Sequence, residues 1–406
     1  MGMLKGIPMN RTIFYIWIAL AALALSACST QTVKSTTITE ALIEQNNIPE
    51  DELLDVGIGI FDPGFDAIDE DDQELTFGDV RIAETYYIAN LLSETLQSTG
   101  NWGVVRVIPD DLSASDVAVQ GTILQSDGET MRVQVTVRDS SGRLWIDKEY
   151  EEIASRYSYD NRIQNARDSF QGLYNRIAND ILQYRQRNMS RDDILNVRTI
   201  SQIQFARSFA PEAFGEYLST DRNGILQVQR LPAQNDPLLA RINTIRERDN
   251  LYVDTMQDYY STFVRQMEQP YTEFRRLSYD EVMKLDRLQR ESRRNMVLGI
   301  AAIVGGLAAT QSDSSMANAA VFGGLVGGGW LIKEAFRAGD EAQIHVEALA
   351  ELGQSLENEV APQTIELEER TVTLSGNVET QYQQWREILA DMYANEIGLA
   401  PASEDI

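Results

Sequence analysis

The chain of 406 residues holds one cysteine, Cys28, and one histidine, His345. With one of each, neither a Ser-His-Asp nor a Cys-His nucleophilic arrangement has much to build on, and no His-containing zinc motif exists. Gly57-Ile58-Gly59 lacks the further glycine of a dinucleotide fingerprint, and no P-loop lysine pattern occurs. Acids are plentiful, 62 Asp and Glu together, and a glycosidase needs only two, but no spacing singles out a pair. The run Asp66, Asp69, Glu70, Asp71, Asp72 and Glu74 could offer oxygens to calcium. It lacks the order and central glycine of an EF-hand loop, and reads first as a solvated acidic loop. His345 stands at the start of a Leu349, Leu352, Leu356 stripe, where a histidine is more often packed than catalytic. The sequence therefore reads as a non-enzyme with no metal or dissociable cofactor. A carboxylate-dependent cell-wall hydrolase is the enzymatic alternative.

The chemistry that remains is modification of Cys28. Ahead of it lie Lys5 and Arg11, an apolar run from Ile13 to Leu25, and small residues, the three parts of a secretory signal. The run is shorter than the roughly 20 residues that span a bilayer. Leu25-Ser26-Ala27-Cys28 resembles the bacterial lipobox at all four positions. The resemblance implies cleavage before Cys28, a covalent diacylglycerol on its sulfur, and usually an acyl chain on its amine. Several acyl chains hold a protein far more firmly than a single one. Ser29 replaces the Asp that retains such lipoproteins in the inner membrane, which implies the outer membrane, with the protein facing the periplasm. No second cysteine is present to form a disulfide, so stability must come from packing and association.

The formal net charge is −27, and loss of residues 1–27 removes Lys5, Arg11 and no acid, which takes it to −29. A surface this acidic excludes nucleic acid as a partner class and disfavours broad adsorption to anionic lipid. It keeps a tethered protein soluble. The expected partners are membrane lipid, other envelope proteins and further copies of the chain.

Composition divides the mature chain into segments. Residues 28–52 are rich in Thr, Ser, Gln and Asn and read as a lipidated tether. Residues 53–187 alternate between strand and helix patterns: a strand over 53–61 closed by the Asp62-Pro63-Gly64 turn, then a helix over 78–97 stopped by Gly100. Strands over 102–108, 117–124 and 131–138 follow. Asp139-Ser140-Ser141-Gly142 turns the chain into a strand through Leu144, Ile146 and Tyr150, and a helix carries Phe170, Leu173, Ile177 and Ile181 on one face. The fold class is α+β, a βαββββα domain followed by a mainly helical region. That order, with the runs Asp116-Val-Ala-Val-Gln-Gly-Thr-Ile and Val-Arg-Asp-Ser-Ser-Gly-Arg-Leu-Trp, resembles a small domain of envelope proteins. The group includes the N-terminal domain of TolB and the core of the curli-secretion channel lipoprotein. The resemblance covers residues 53–187 and implies a domain that binds partners and builds rings.

Residues 188–295 read as helical and coiled-coil, without strands. Leu238, Ile242, Ile245, Tyr252, Met256, Tyr259 and Phe263 fall at alternating spacings of four and three, interrupted at Asp249, between Pro237 and Pro270. Such a seam pairs either within the chain, with helices over 190–210 and 271–295 as available neighbours, or between subunits.

Residues 296–338 form the most unusual stretch, read as a glycine-rich helical hairpin. Apolar arms, Met296–Ala309 and Met316–Ile332, flank a polar tip. Gly299, Gly305 and Gly306 lie in the first arm, and Gly323, Gly324, Gly327, Gly328 and Gly329 in the second, with overlapping GxxxG pairs that let helix backbones touch in lipid. Arg293 and Arg294 before the first arm, and Lys333 and Arg337 after the second, are cations able to snorkel to phosphates. Each arm is short against the hydrocarbon core. A membrane-interacting hairpin and a soluble hairpin buried by other helices both remain open.

Residues 339–406 read as C-terminal helices with short strands: a helix over 340–360, strands through Ile365, Leu367, Val372 and Leu374, and a last helix with Tyr382, Trp385, Leu389 and Met392. Trp385 is expected as a core anchor. The functional expectation is an oligomeric outer-membrane lipoprotein of an envelope secretion or assembly system, with a monomeric periplasm-facing adaptor as the alternative.

Overall fold

A computed structural model describes residues 39–45, 48–67, 78–109, 114–159, 168–233, 236–307, 348, 351, 363–366 and 371–396. All of them fall in one compact unit, Ile38–Ile406. The class is mixed α and β, with a five-stranded mixed sheet at its centre.

That sheet comprises β1 (Val56–Gly59), β2 (Val105–Ile108), β3 (Val117–Ser126), β4 (Thr130–Asp139) and β5 (Leu144–Ile153), in spatial order β2-β1-β3-β4-β5. β1 pairs parallel with both β2 and β3, whereas β3, β4 and β5 form an antiparallel meander. The parallel pairing of β1 with β2 needs a crossover, which helix α1 (Gly78–Ser98) supplies. The turns fall where the chain has its turn residues: Gly64, Gly128 and Gly142 adopt positive φ, as does Gly100 at the end of α1. On β4 the alternation is plain, with Met131, Val133, Val135 and Val137 buried and their neighbours half-exposed. Gly121 on β3 is a close-approach site, since a Cβ there would lie 1.9 Å from Cε1 of Phe61.

Helix α2 (Gln171–Asn188) packs on α1 and β5, burying Phe170, Leu173, Tyr174, Ile177 and Ile181. Helix α1 departs from the one-faced helix that its spacing suggests. It is buried on nearly every side, polar Arg81, Glu84, Thr85, Asn90 and Ser93 included, because other helices cover the side that the sheet leaves.

Beyond α2 come α3 (Arg191–Phe209), the short α4 (Pro211–Phe214), α5 (Pro237–Leu307) and α6 (Val378–Glu396). A capping box between Ser190 and Asp193 starts α3. Contrary to the strand-free expectation for 188–295, a hairpin forms between β6 (Leu218–Thr220) and β7 (Leu226–Val228) around Gly224 at φ +82°. β8 (Gln363–Glu366) and β9 (Thr371–Leu374) pair antiparallel where the C-terminal alternation suggests strands.

Helix α5 departs most from expectation. It runs for 71 residues, about 106 Å at 1.5 Å per residue, straight through Pro270. Residues 271–295 are therefore the continuation of the seam helix and not a separate partner for it. Proline removes one intrahelical bond, but Met267, Tyr271 and Phe274 are buried on both sides of Pro270, and that packing holds the helix on course. The seam is filled within the chain: Ile242, Ile245, Tyr252, Met256 and Phe263 are buried, Leu238 and Tyr259 are only half-buried, the buried tyrosine being Tyr260 beside it, and α5 touches α1, β2, α3 and α6. Trp385 of α6 is a core residue, stacked on Tyr252 at 5.0 Å. One hydrophobic core thus runs from Leu54 to Tyr393 and crosses residue 187 without a break.

Candidate functional site

Most of the site residues expected from sequence lie outside the described residues: Cys28, Gly323, Gly324, Gly327, Gly328, Lys333 and Arg337, together with His345 and acidic residues 69–74. Arg293, Arg294, Gly299, Gly305 and Gly306 all belong to the last third of α5. The first glycine-rich arm, as far as Leu307, is thus the end of the long helix and not a free-standing one. Among the described residues, no helix is long and apolar enough to cross a membrane, and no group of His, Cys, Asp or Glu could hold a metal ion.

Two arrangements stand out, and the first is at the chain's entry into the fold. Residues 39–45 carry neither helix nor strand and lie across α1 and α2 as a strap. Three buried asparagines hold it. Asn179 accepts the N–H of Leu42 at 2.6 Å and donates to the Glu40 carbonyl at 3.0 Å. Asn101 accepts the N–H of Glu44 and donates to the Leu42 carbonyl, both at 2.8 Å. Asn175 donates to the Thr39 carbonyl at 2.7 Å. Asn175 and Asn179 are four apart on α2 and so share a face, while Asn101 follows the Gly100 helix stop. Residues 40, 42 and 44 are the ones gripped by Asn179 and Asn101, the period-two pattern of an extended chain. Further on, Arg191 bonds Asp51 at 2.6 Å and Arg198 bonds the Glu50 carbonyl at 3.0 Å.

The second arrangement joins α5 to the α+β body. Arg275 of α5 is buried and donates to Asp168 at 2.8 Å, and its guanidinium lies 3.8 Å from the Tyr271 ring centroid and 4.8 Å from that of Phe170. Burial opposes its charge most strongly, but Asp168 together with Tyr271, Tyr174 and Tyr87 outweighs that and holds the proton even more firmly than usual. Glu84 of α1 accepts from Tyr271 and Ser126 and pairs with Arg81 at 3.1 Å. The β3–β4 turn rests on the helix itself, where Ser278 donates to the Asp127 carbonyl, and a Cβ on Gly128 would meet the Arg275 carbonyl. Near the other end of the seam, Gln257 accepts the Val107 N–H and donates to the Val107 carbonyl, both at 2.9 Å, and so closes the edge of β2. Arg106 beside it forms a two-pronged pair with Asp254.

The buried acids have structural partners. Burial pushes the Asp116 carboxyl upward, with Ser201 and the Asp55 N–H opposing, and Asp127 is raised by burial while it binds the N–H groups of its own turn. Asp249, the seam interruption, is raised by burial against Arg386 and Tyr382, which bond it at 3.5 and 3.4 Å. The arrangement can grip main chain and fix a helix. Sequence reading missed the asparagine clamp, whose only signal is the i, i+4 pair Asn175 and Asn179 on a helix face otherwise read for its apolar residues. No family model matches this chain, and no curated protein or solved structure matches it either, so function has to be argued from the site.

Proposed function

We propose that this chain is a lipid-anchored scaffold of the bacterial outer membrane, facing the periplasm, which positions and assembles partners and does no catalysis. In this reading Cys28 carries diacylglycerol and an acyl chain, residues 28–52 are the tether, of which 39–45 lie across α1 and α2, and the body is an α+β envelope domain. The glycine-rich stretch at the end of α5 and beyond it is the contact with membrane lipid or with further copies in a secretion or assembly system. One observation carries the reading: α5 is pinned to the body at buried Arg275 and runs on unbroken into that stretch. From Arg275 to Gly299 the helix rises about 36 Å. A helix so fixed carries Gly299 at a set distance along its axis from the body, which suits a scaffold.

Purification of the lipidated protein in detergent, followed by size measurement and imaging, tests this. A defined oligomer that is lost on deleting residues 296–332 supports the assembly role, and a monomer in every detergent sinks it. Cys28→Ala should release the protein from membranes, in whole or down to a residue held by residues 296–332. A Cys28→Ala variant that partitions as the parent does, with and without those residues, removes the anchor.

A second reading, a monomeric adaptor for another envelope protein, is favoured by the seam of α5, which is covered by the chain's own α1, α3 and α6 and leaves that seam no need of a second subunit.

A further inference from the structure

The strap is an unusual occupant of its groove. All five asparagine bonds go to its main chain, and beside them Gln186 of α2 donates to the Glu44 carboxylate at 2.8 Å. Its own apolar side chains contribute little, with Leu42 46% and Ile43 66% exposed. The groove is also underfilled on both sides. An open depression of about 390 Å³ lies along Glu40, Ala41 and Ile43, lined by Leu91, Glu94, Thr95 and Thr99 of the α1 end and by Gln171 and Asn175 of α2. Another of about 400 Å³ lies beyond Glu44, lined by Ile48, Arg185, Met189 and Ile194. The three asparagines are between 2% and 7% exposed, and buried amides left without partners carry a desolvation cost. The groove therefore always needs a main chain in it, but its clamps do not distinguish one main chain from another.

We propose that the α1–α2 groove is a docking site for an extended segment of a partner polypeptide, and that residues 39–44 are its resident, exchangeable occupant. The segment that fits presents its backbone to Asn101 and Asn179 at alternate residues. It carries a Leu- or Met-sized apolar side chain where the strap has Ala41, so that the depression against Leu91 is filled. Apolar area buried there favours the incoming segment over the strap, while the polar bonds exchange one for one. Docking frees the strap from the body. The site thus reports partner binding to the part of the chain nearest the membrane. The docking itself does not depend on the oligomer or on the lipid, whereas its report toward the membrane rests on the proposed anchor at Cys28.

The probe is a labelled nine-residue peptide copying residues 37–45 with the Ala41→Leu change, titrated onto the full chain in detergent by fluorescence anisotropy. Leu42→Pro in the protein removes the N–H that Asn179 accepts and so weakens the strap's hold on the groove. The probe should bind that variant roughly tenfold or more tighter than the parent, since the parent is available only in the fraction of time its strap is out. Asn101→Ala with Asn179→Ala should abolish binding in both backgrounds. In the parent, saturating probe should raise hydrogen exchange at the Leu42 and Glu44 amides, a readout that needs no variant to fold. The proposal is overturned if the probe leaves those amides protected and binds neither protein, or if binding survives loss of both asparagines. A peptide that keeps Ala41 and binds as well as the Leu form overturns the side-chain preference.

Discussion

Arg275 of α5 and Asp168, which precedes α2, meet at 2.8 Å with both side chains buried, and this pair ties the longest helix of the protein to its sheet domain. Tyr87 also donates to Asp168 at 3.1 Å, so one carboxylate gathers groups from α1 and α5. A buried ion pair adds little over an apolar pair of equal volume, but half of one is costly. Asp168→Ala should therefore destabilise the protein by about 3–5 kcal/mol, and Asp168→Leu with Arg275→Met should restore most of the loss. Urea unfolding of the three proteins decides it. A neutral Asp168→Ala would mean that the pair does not hold α5.

Asp249 should make stability fall as pH rises. Burial raises its carboxyl above the ordinary value, with Arg386, Tyr382, Arg246 and Arg106 acting in the opposite sense. The folded chain then binds this proton more tightly than the unfolded chain. Its contribution is fully present below the ordinary carboxylate range and is lost as pH climbs through the raised value. Asp249→Asn should melt higher than the parent at pH 7 and converge with it near pH 4. Melts showing the Asn protein weaker at pH 7 than at pH 4, relative to the parent, would reverse the sign.

On the proposed Cys28 anchor, the strap limits reach. From Cys28 to Ile38 is 11 residues, at most about 36–40 Å of chain, and freeing residues 39–49, as far as the Glu50 carbonyl that Arg198 holds, adds about 36–40 Å. Asn101→Ala with Asn179→Ala should raise the height of the body above a lipid surface, measured by neutron reflectometry on the lipidated protein. Unchanged height, with the Leu42 and Glu44 amides still protected, would show that the strap has other holds.

Gly121 is required by contact with Phe61, because its φ is not in the left-handed region. Gly121→Ala should cost about 1–3 kcal/mol through overpacking, and adding Phe61→Leu should recover part of it. Chemical denaturation of single and double variants measures the coupling. Strictly additive losses would place the strain elsewhere.

Elements were legible in this chain wherever local pattern and burial agree. Met131, Val133, Val135 and Val137 alternate because only one face of β4 meets the core, and Asp139 to Gly142 turn because glycine tolerates positive φ at 142. Pattern misled where burial comes from more than one side. The all-round burial of α1 blurs its period, and Pro270 looks like an end until Met267 and Tyr271 are seen packed on either side of it. The candidate site was hardly legible, since an asparagine that grips a backbone looks in sequence like any polar surface residue.

By itself the sequence determined the acidic charge, the lone Cys28 behind Leu25-Ser26-Ala27, the order of strands and helices in 53–187, and the seam of α5. These follow from residue type and from spacings shorter than a few turns. Tertiary structure alone decided what the seam packs against, that α5 passes through Pro270 into the glycine-rich stretch, and that Asn101, Asn175 and Asn179 converge on residues 39–44. The reason is distance along the chain. Asn179 and Leu42 stand 137 residues apart, and only a folded core holds such groups within a hydrogen bond.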